Sequence, residues 1–156
     1  MGSKYFRSRK MSPIKEIIWQ LSSIRNTYSN VESYSRTNNS FSCVMNITPS
    51  ENSDTYKVEI SYQSGYYPKA KLLSHKLEER NGKLPHHIFG VDNDGHAKLC
   101  VFHPDEWNSK TLISKSFIPW VSTWLNAYEF WLITGEWHYD EIIAGKKKSE
   151  KDECKK

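Results

Sequence analysis

The sequence has no run of about 18 apolar residues, the minimum for a helix that crosses a bilayer. Its basic N-terminus makes a poor signal peptide, because Lys15 and Glu16 interrupt the apolar stretch there. A Gly-rich phosphate-binding loop and an internal repeat are also missing from its 156 residues. These absences argue against a membrane protein, a P-loop nucleotide-binding protein and a repeat protein. They favour a single folded domain in the cytoplasm.

Cysteine is scarce as well, with only Cys43, Cys100 and Cys154. An odd number without paired spacing argues against a disulfide framework, so we expect three free thiols. Cys43 falls on the apolar side of an alternating pattern, which favours a small buried residue. Cys154 lies in a charged tail, where exposure is expected. Cys100, in the stretch HAKLCVFHPDEW, fits either a strand residue or a reactive thiol.

The formal net charge of +4 is concentrated at the C-terminal end. Residues 146–156 contain six lysines against three acidic residues, so this tail supplies most of the excess charge. A solvated tail explains the basicity, and we expect neither nucleic acid nor a membrane as a partner. The sequence predicts a flexible N-terminus over residues 1–11, one domain over residues 12–143 and a disordered Lys-rich tail over residues 144–156.

Apolar periodicity predicts a helix near each end of the domain. The first begins at Ser12-Pro13, where Ser can cap the helix and Pro fits its first position. The second follows Pro119 and carries apolar residues, many of them aromatic, every three or four positions until Gly135, which suits a helix end. We expect its rings to pack in the core. Three of them could instead form a partner surface: Tyr128, Trp131 and Trp137.

Between the helices the pattern changes to the two-residue alternation of strands. Four segments predict strands: residues 41–48, 56–62, 69–77 and 97–102. Residues 29–40 and 84–95 lack a clear alternation and are expected to be loops. The predicted fold is therefore α+β, with an antiparallel meander of three or four strands and the helices on one of its faces.

Several residues near Cys100 are of the types that bind zinc: His86, His87, His96 and His103. Their spacing matches none of the usual zinc frameworks, because there is no Cys-x-x-Cys and adjacent histidines rarely ligate one ion. We therefore expect no metal and no other cofactor. A cysteine hydrolase stays possible, because it requires a cysteine, a histidine base and an orienting Asn or Asp, and His86, His87 or His103 could be that base.

The stretch GYYPKAKLLSHKLEERNGKLPHHIFGVDNDGHAKLCVF, residues 65–102, resembles the core of the ubiquitin-conjugating enzyme fold. Tyr67-Pro68 matches the family's Tyr-Pro turn, and Pro85-His86-His87-Ile88 stands where the family has a His-Pro-Asn-Ile stretch. Gly95 then precedes Cys100. The resemblance covers about residues 12–137. It implies a ubiquitin-conjugating-like fold with an active-site loop before Cys100 and an aromatic C-terminal helix.

A narrower resemblance lies in the stretches LCVFHPDEWN and FIPWVSTWLNAYEFWLITGEW. They are similar to the stand-alone ubiquitin-conjugating-like proteins of short type II CBASS antiphage operons, which are encoded beside a cGAS/DncV-like nucleotidyltransferase. This resemblance implies that Cys100 forms a thioester with the C-terminal residue of that partner. It also implies transfer of the acyl group to an amine, a lysine on a protein target.

The same resemblance implies that the histidine loop assists Cys100. The family's Asn helps to hold the oxyanion formed during thioester transfer, and here His86 or His87 occupies its region. His87 lies 13 positions before Cys100, farther than in the eukaryotic pattern, so either histidine can be the one that points at the thiol. Two other functions stay open: a non-catalytic binding module of the same fold, and a cysteine hydrolase that removes such conjugates.

Overall fold

The computed structural model describes residues 10–139. The predicted Lys-rich tail and most of the predicted flexible N-terminus lie outside the described residues. The described chain contains these helices and strands: α1 Pro13–Thr27, β1 Val31–Arg36, β2 Ser40–Ile47, β3 Tyr56–Gln63, β4 Lys69–Leu72, β5 Ile88–Val91, β6 Ala97–Leu99 and α2 Phe117–Thr134. Two short 3-10 turns, Pro104–Glu106 and Ile113–Lys115, connect β6 to α2. Within this range neither helix is long and apolar enough to cross a membrane.

The six strands form one antiparallel sheet in the order β1-β2-β3-β4-β6-β5. Along β2 and β3 buried residues alternate with more exposed ones, as the pleat of a strand requires when one face is covered. The buried side chains of that face form one core with the apolar residues of α1 and α2. Both helices therefore cover the same face of the sheet. This arrangement confirms the α+β prediction and agrees with a ubiquitin-conjugating-like fold.

The number of strands differs from the predicted three or four. β1 lies within residues 29–40, and β5 lies within residues 84–95, the two segments predicted to be loops. Both are edge strands of the sheet. β1 is exposed along nearly its whole length, and a register shift interrupts β5 between Ile88 and Gly90. Neither strand therefore shows the apolar alternation from which strands were predicted.

α2 is the aromatic helix predicted from the periodicity. Pro119 lies in its first turn, and Gly135 ends it with a φ of 83°, a left-handed conformation that suits glycine. Tyr128 and Trp131 are buried, and Trp137 packs against the core just beyond the helix. The expected core packing is confirmed, and the principal contacts of these rings are inside the domain.

A buried amide joins α1 to the segment before α2. The Gln20 side chain is fully buried; its Nε2 donates to the carbonyl oxygen of Thr111 at 2.9 Å. Its Oε1 accepts from the backbone N–H of Ile113 at 2.8 Å. Tyr28 adds a bond from its hydroxyl to the carbonyl oxygen of Ser114 at 2.7 Å. These three bonds fix the chain that leads into α2 relative to α1.

Candidate functional site

β6 ends at Leu99, so it is shorter than the strand predicted over residues 97–102, and Cys100 lies just beyond it. Its backbone N–H donates to the carbonyl oxygen of His87 at 3.0 Å. Because β5 and β6 are antiparallel, this bond brings together two residues that are 13 positions apart in the sequence. Cys100 is 6 % exposed. The histidine loop and Cys100 therefore lie side by side, and Cys100 is largely buried.

His87 has an unusual backbone conformation, and neighbouring aromatic residues hold its ring. Its φ is 61°, in the left-handed region that non-glycine residues seldom adopt. Its carbonyl oxygen accepts a second hydrogen bond, from Nε1 of Trp124 at 3.1 Å. The imidazole stacks on Trp137, with centroids 5.7 Å apart and planes 24° apart, and lies 6.3 Å from the ring of Tyr139. Two aromatic residues of the C-terminal part thus orient this ring.

Tyr139 links the aromatic cluster to the chain beside the cysteine. It is buried, and its hydroxyl donates to the carbonyl oxygen of Val101. The ring that lies against His87 is therefore anchored to the residue that follows Cys100. Neither this contact nor the Trp124 bond has a signal in the sequence, where both residues appear only as aromatic positions.

Two other predicted histidines, His86 and His103, have different surroundings. His86 is exposed, with its ring centroid 6.4 Å from that of His87. His103 caps the 3-10 turn that follows: its Nδ1 accepts from the Asp105 N–H at 3.3 Å, and its own N–H donates to Glu106 Oε1 at 3.0 Å. Of the predicted histidines, His87 is the one whose backbone bonds directly to Cys100.

One group of possible metal-binding side chains lies elsewhere among residues 10–139. The ligand atoms of Asp92, Asp94 and His96 are all within 4.8 Å of one another. Asp92 already accepts the backbone N–H of His96 and of Asp94, each at 2.9 Å, and pairs with Lys71 at 3.2 Å. The His96 hydrogen bond and the Lys71 charge lower the pKa of Asp92 to about 2. The group is explained as a turn held by its own hydrogen bonds, and we assign it no ion.

The model of one protein family matches most of the chain. It is the family described as type II CBASS E2 protein, E2-CBASS, and the match covers residues 20–144. The chain belongs to this family. No curated protein matches the chain. The matched range includes the β-sheet, the His87 loop, Cys100 and α2. The candidate site therefore lies within the part of the chain that defines it as an E2-like protein of CBASS antiphage defence.

The cysteines of this CBASS E2 protein differ in their bonding. Cys43 is a free thiol, whereas Cys100 is disulfide-bonded. The prediction of a free thiol is therefore wrong for Cys100 in this state. The odd count argued only against a framework of several bridges, and a single bridge needs no more than two cysteines. Any acyl chemistry at the Cys100 sulfur requires that this bond first be reduced.

Cys43 is expected to stay unmodified when the reduced, folded protein is treated with iodoacetamide at pH 8. Its side chain is 1 % exposed, and burial raises the pKa of its thiol to about 12. At pH 8 about one molecule in ten thousand then carries the thiolate, the form that reacts. Peptide mass spectrometry after a time course measures the labelling, with protein unfolded in urea as the control. Equal labelling rates in the folded and unfolded protein would contradict the assigned burial.

Proposed function

We propose that Cys100 accepts an acyl group as a thioester and transfers it to an amine, in the cytoplasm, as a priming step of antiphage defence. The acyl group is the C-terminal residue of a partner cGAS/DncV-like nucleotidyltransferase, and the acceptor is a lysine of a protein target. The observation that carries this proposal is the hydrogen bond from the Cys100 N–H to the His87 carbonyl oxygen. In a member of the type II CBASS E2 family, it places the loop that stands for the His-Pro-Asn stretch directly against the cysteine.

A cellular dithiol first reduces the Cys100 disulfide by thiol–disulfide exchange and is itself oxidised to a disulfide. In the first step of transfer the Cys100 thiolate then attacks the carbonyl carbon of the activated C-terminal residue. A C–S bond forms, and the bond to the activating group breaks with its electron pair. The activated donor is an acyl adenylate or a thioester made in trans, so AMP or a thiol leaves. A cysteine with an ordinary pKa of about 8.5 is only a few per cent ionised at pH 7, and a base that takes its proton raises that fraction.

In the second step the neutral amine of the acceptor lysine attacks the thioester carbonyl. A C–N bond forms, the C–S bond breaks, and the electron pair returns to the sulfur of Cys100. The proton lost by the amine passes to His87 or to water. The negative charge on the carbonyl oxygen is greatest between these events, and one well-placed hydrogen-bond donor stabilises such a charge by about 2.7–4 kcal/mol.

Of the two histidines, we assign the direct role to His87 and a supporting role to His86. The His87 ring is held by Trp137 and Tyr139, and Tyr139 bonds to the residue after Cys100. A catalytic group acts best when it is held before the substrate arrives. His86 is exposed beside it, where it can contact an incoming chain.

The test is to capture the acyl intermediate on the wild-type protein. The chain is expressed with the nucleotidyltransferase encoded beside it, and the lysate is treated with a phosphine, which reduces disulfides without attacking thioesters. Intact-mass spectrometry under denaturing conditions should find a covalent adduct of the two chains that dithiothreitol or hydroxylamine cleaves. Peptide mapping should place it on Cys100. A Cys43→Ala variant serves as the matched control and should form the same adduct.

Two results would point to the other functions. Tight binding of the nucleotidyltransferase with no mass change, even with the activating proteins of the host lysate present, would indicate a binding module. Cleavage of a preformed conjugate without any accumulation of conjugates would indicate a cysteine hydrolase.

A further inference from the structure

A hydrogen bond from Trp124 joins helix α2 to the His87 loop. Trp124 is fully buried in the middle of this helix, and its Nε1–H donates to the carbonyl oxygen of His87 at 3.1 Å. The same oxygen accepts the backbone N–H of Cys100 at 3.0 Å. A carbonyl oxygen has two lone pairs, and both are used here. Trp124 and Cys100 therefore share one acceptor, so the cysteine, the histidine and the helix are joined at a single atom.

Trp124 is also linked to the His87 imidazole indirectly, through the indole of Trp137. The Trp124 and Trp137 rings meet edge to face, with centroids 5.3 Å apart and planes 66° apart. Trp137 in turn stacks on the His87 imidazole. Both the main chain and the side chain of His87 are thus restrained from the same tryptophan.

The restraint matters because His87 adopts a conformation that it would not hold alone. Its φ of 61° is in the left-handed region, which is unfavourable for a residue with a Cβ. Such conformations persist only where surrounding contacts over-determine them, and they occur preferentially at functional sites. Here the contacts that hold the carbonyl are the Cys100 N–H and the Trp124 indole. Without the indole bond, the loop is free to relax toward ordinary backbone angles, which would move the imidazole.

We propose that Trp124 is a positioning residue for acyl transfer. Its indole N–H holds His87 in the left-handed conformation, and this conformation orients the imidazole for proton transfer during the reaction at Cys100. The proposal rests on the function proposed above. It assigns no contact between Trp124 and the substrate. Trp124 acts through the His87 carbonyl oxygen and through Trp137, so removing only its N–H should loosen His87 while leaving most of the core filled.

The test compares two Trp→Phe substitutions, each of which removes one buried indole N–H. Trp124→Phe removes a bonded N–H, whereas Trp107→Phe removes a buried N–H that has no hydrogen-bond partner among residues 10–139. The thioester formed with the nucleotidyltransferase is discharged with free lysine in single-turnover experiments over a range of pH. We expect Trp124→Phe to slow discharge by roughly tenfold to a hundredfold and to alter the pH profile. Trp107→Phe should leave the rate and the profile as in the wild type, and both variants should bind the nucleotidyltransferase equally well.

Heteronuclear NMR of the imidazole rings provides a readout that needs no activity. A His87→Gln variant assigns the His87 signals, which should move in Trp124→Phe and not in Trp107→Phe. If the wild type forms no thioester on Cys100, the proposed function fails, and the NMR comparison still decides whether Trp124 positions His87. Unchanged His87 signals in Trp124→Phe would overturn the positioning role. So would an unchanged discharge rate and pH profile, or an equal loss in Trp107→Phe.

A second variant covers the case in which Trp124→Phe does not fold. Benzothienylalanine at position 124 has nearly the shape of tryptophan, with sulfur in place of the indole N–H. It should reproduce the slower discharge and the altered pH profile with the core volume preserved. Wild-type discharge in this variant would overturn the proposal.

Discussion

Replacing Cys100 with alanine is expected to abolish the adduct with the nucleotidyltransferase completely. Alanine has no nucleophilic atom, and the other thiol described in the structure, Cys43, is buried with its pKa raised to about 12. Serine at position 100 is expected to behave differently. Its hydroxyl is a far weaker nucleophile than a thiolate, so acylation should be slow, but the resulting oxyester resists dithiothreitol. Intact-mass spectrometry of both variants beside the wild type distinguishes these outcomes.

The same two variants separate the proposed reaction from the alternatives. A dithiothreitol-sensitive adduct that persists in Cys100→Ala would show that another residue carries the acyl group. Full phage protection by Cys100→Ala, with partner binding intact, would identify a binding module in which the cysteine is incidental. Cys43→Ala is the control for loss of a cysteine as such, and it should keep both the adduct and the protection.

Replacing Gln20 with leucine is expected to lower the free energy of unfolding by about 2–6 kcal/mol. Leucine has a similar volume, but it can neither donate to the Thr111 carbonyl nor accept from the Ile113 N–H. Each buried polar group left without a partner costs about 1–3 kcal/mol. Because a domain is stable by only about 5–15 kcal/mol in total, this single change should remove a large share of the stability. Urea denaturation followed by tryptophan fluorescence measures the effect.

Two further variants in α1 serve as comparisons for Gln20→Leu. Gln20→Glu keeps the oxygen that accepts from Ile113 and loses the donor to Thr111. Ser22→Ala changes an exposed position of the same helix and should alter stability by no more than about 0.5 kcal/mol. If Gln20→Leu is as stable as Ser22→Ala, the amide does not hold the two segments together.

The elements that each bury one face could be predicted from the sequence. α1, β2, β3 and α2 place apolar side chains at the spacing of a helix or a strand, and this spacing follows directly from backbone geometry. The edge strands could not be predicted in this way. β1 gains its hydrogen bonds from β2 and buries little, and β5 is four residues long with a shifted register. Their formation depends on a neighbouring strand rather than on their own composition.

The candidate site likewise contains residues that could be predicted from the sequence and contacts that could not. From the sequence, resemblance to the ubiquitin-conjugating enzymes predicts that Cys100 and the His86-His87 loop form the candidate site. The groups that hold them were not predictable, because the Trp124 bond to His87 and the Tyr139 bond to Val101 join residues 37 and 38 positions apart across the packed core. The bonding state of Cys100 was not predictable either, since it depends on which sulfur atoms meet in the fold.

The buried Gln20 amide has a consequence for how the protein is made. Its two bonds join residues 91 and 93 positions apart. α1 is among the first parts of the chain to be translated, and its bonding partners Thr111 and Ile113 are translated only when most of the sequence has been made. Trp124 and Tyr139 are translated later still. Contacts of such separation form slowly, because a long loop must close first. A nascent chain can therefore contain Cys100 and the histidine loop before it holds either in place, and the site is completed only when the C-terminal part has left the ribosome.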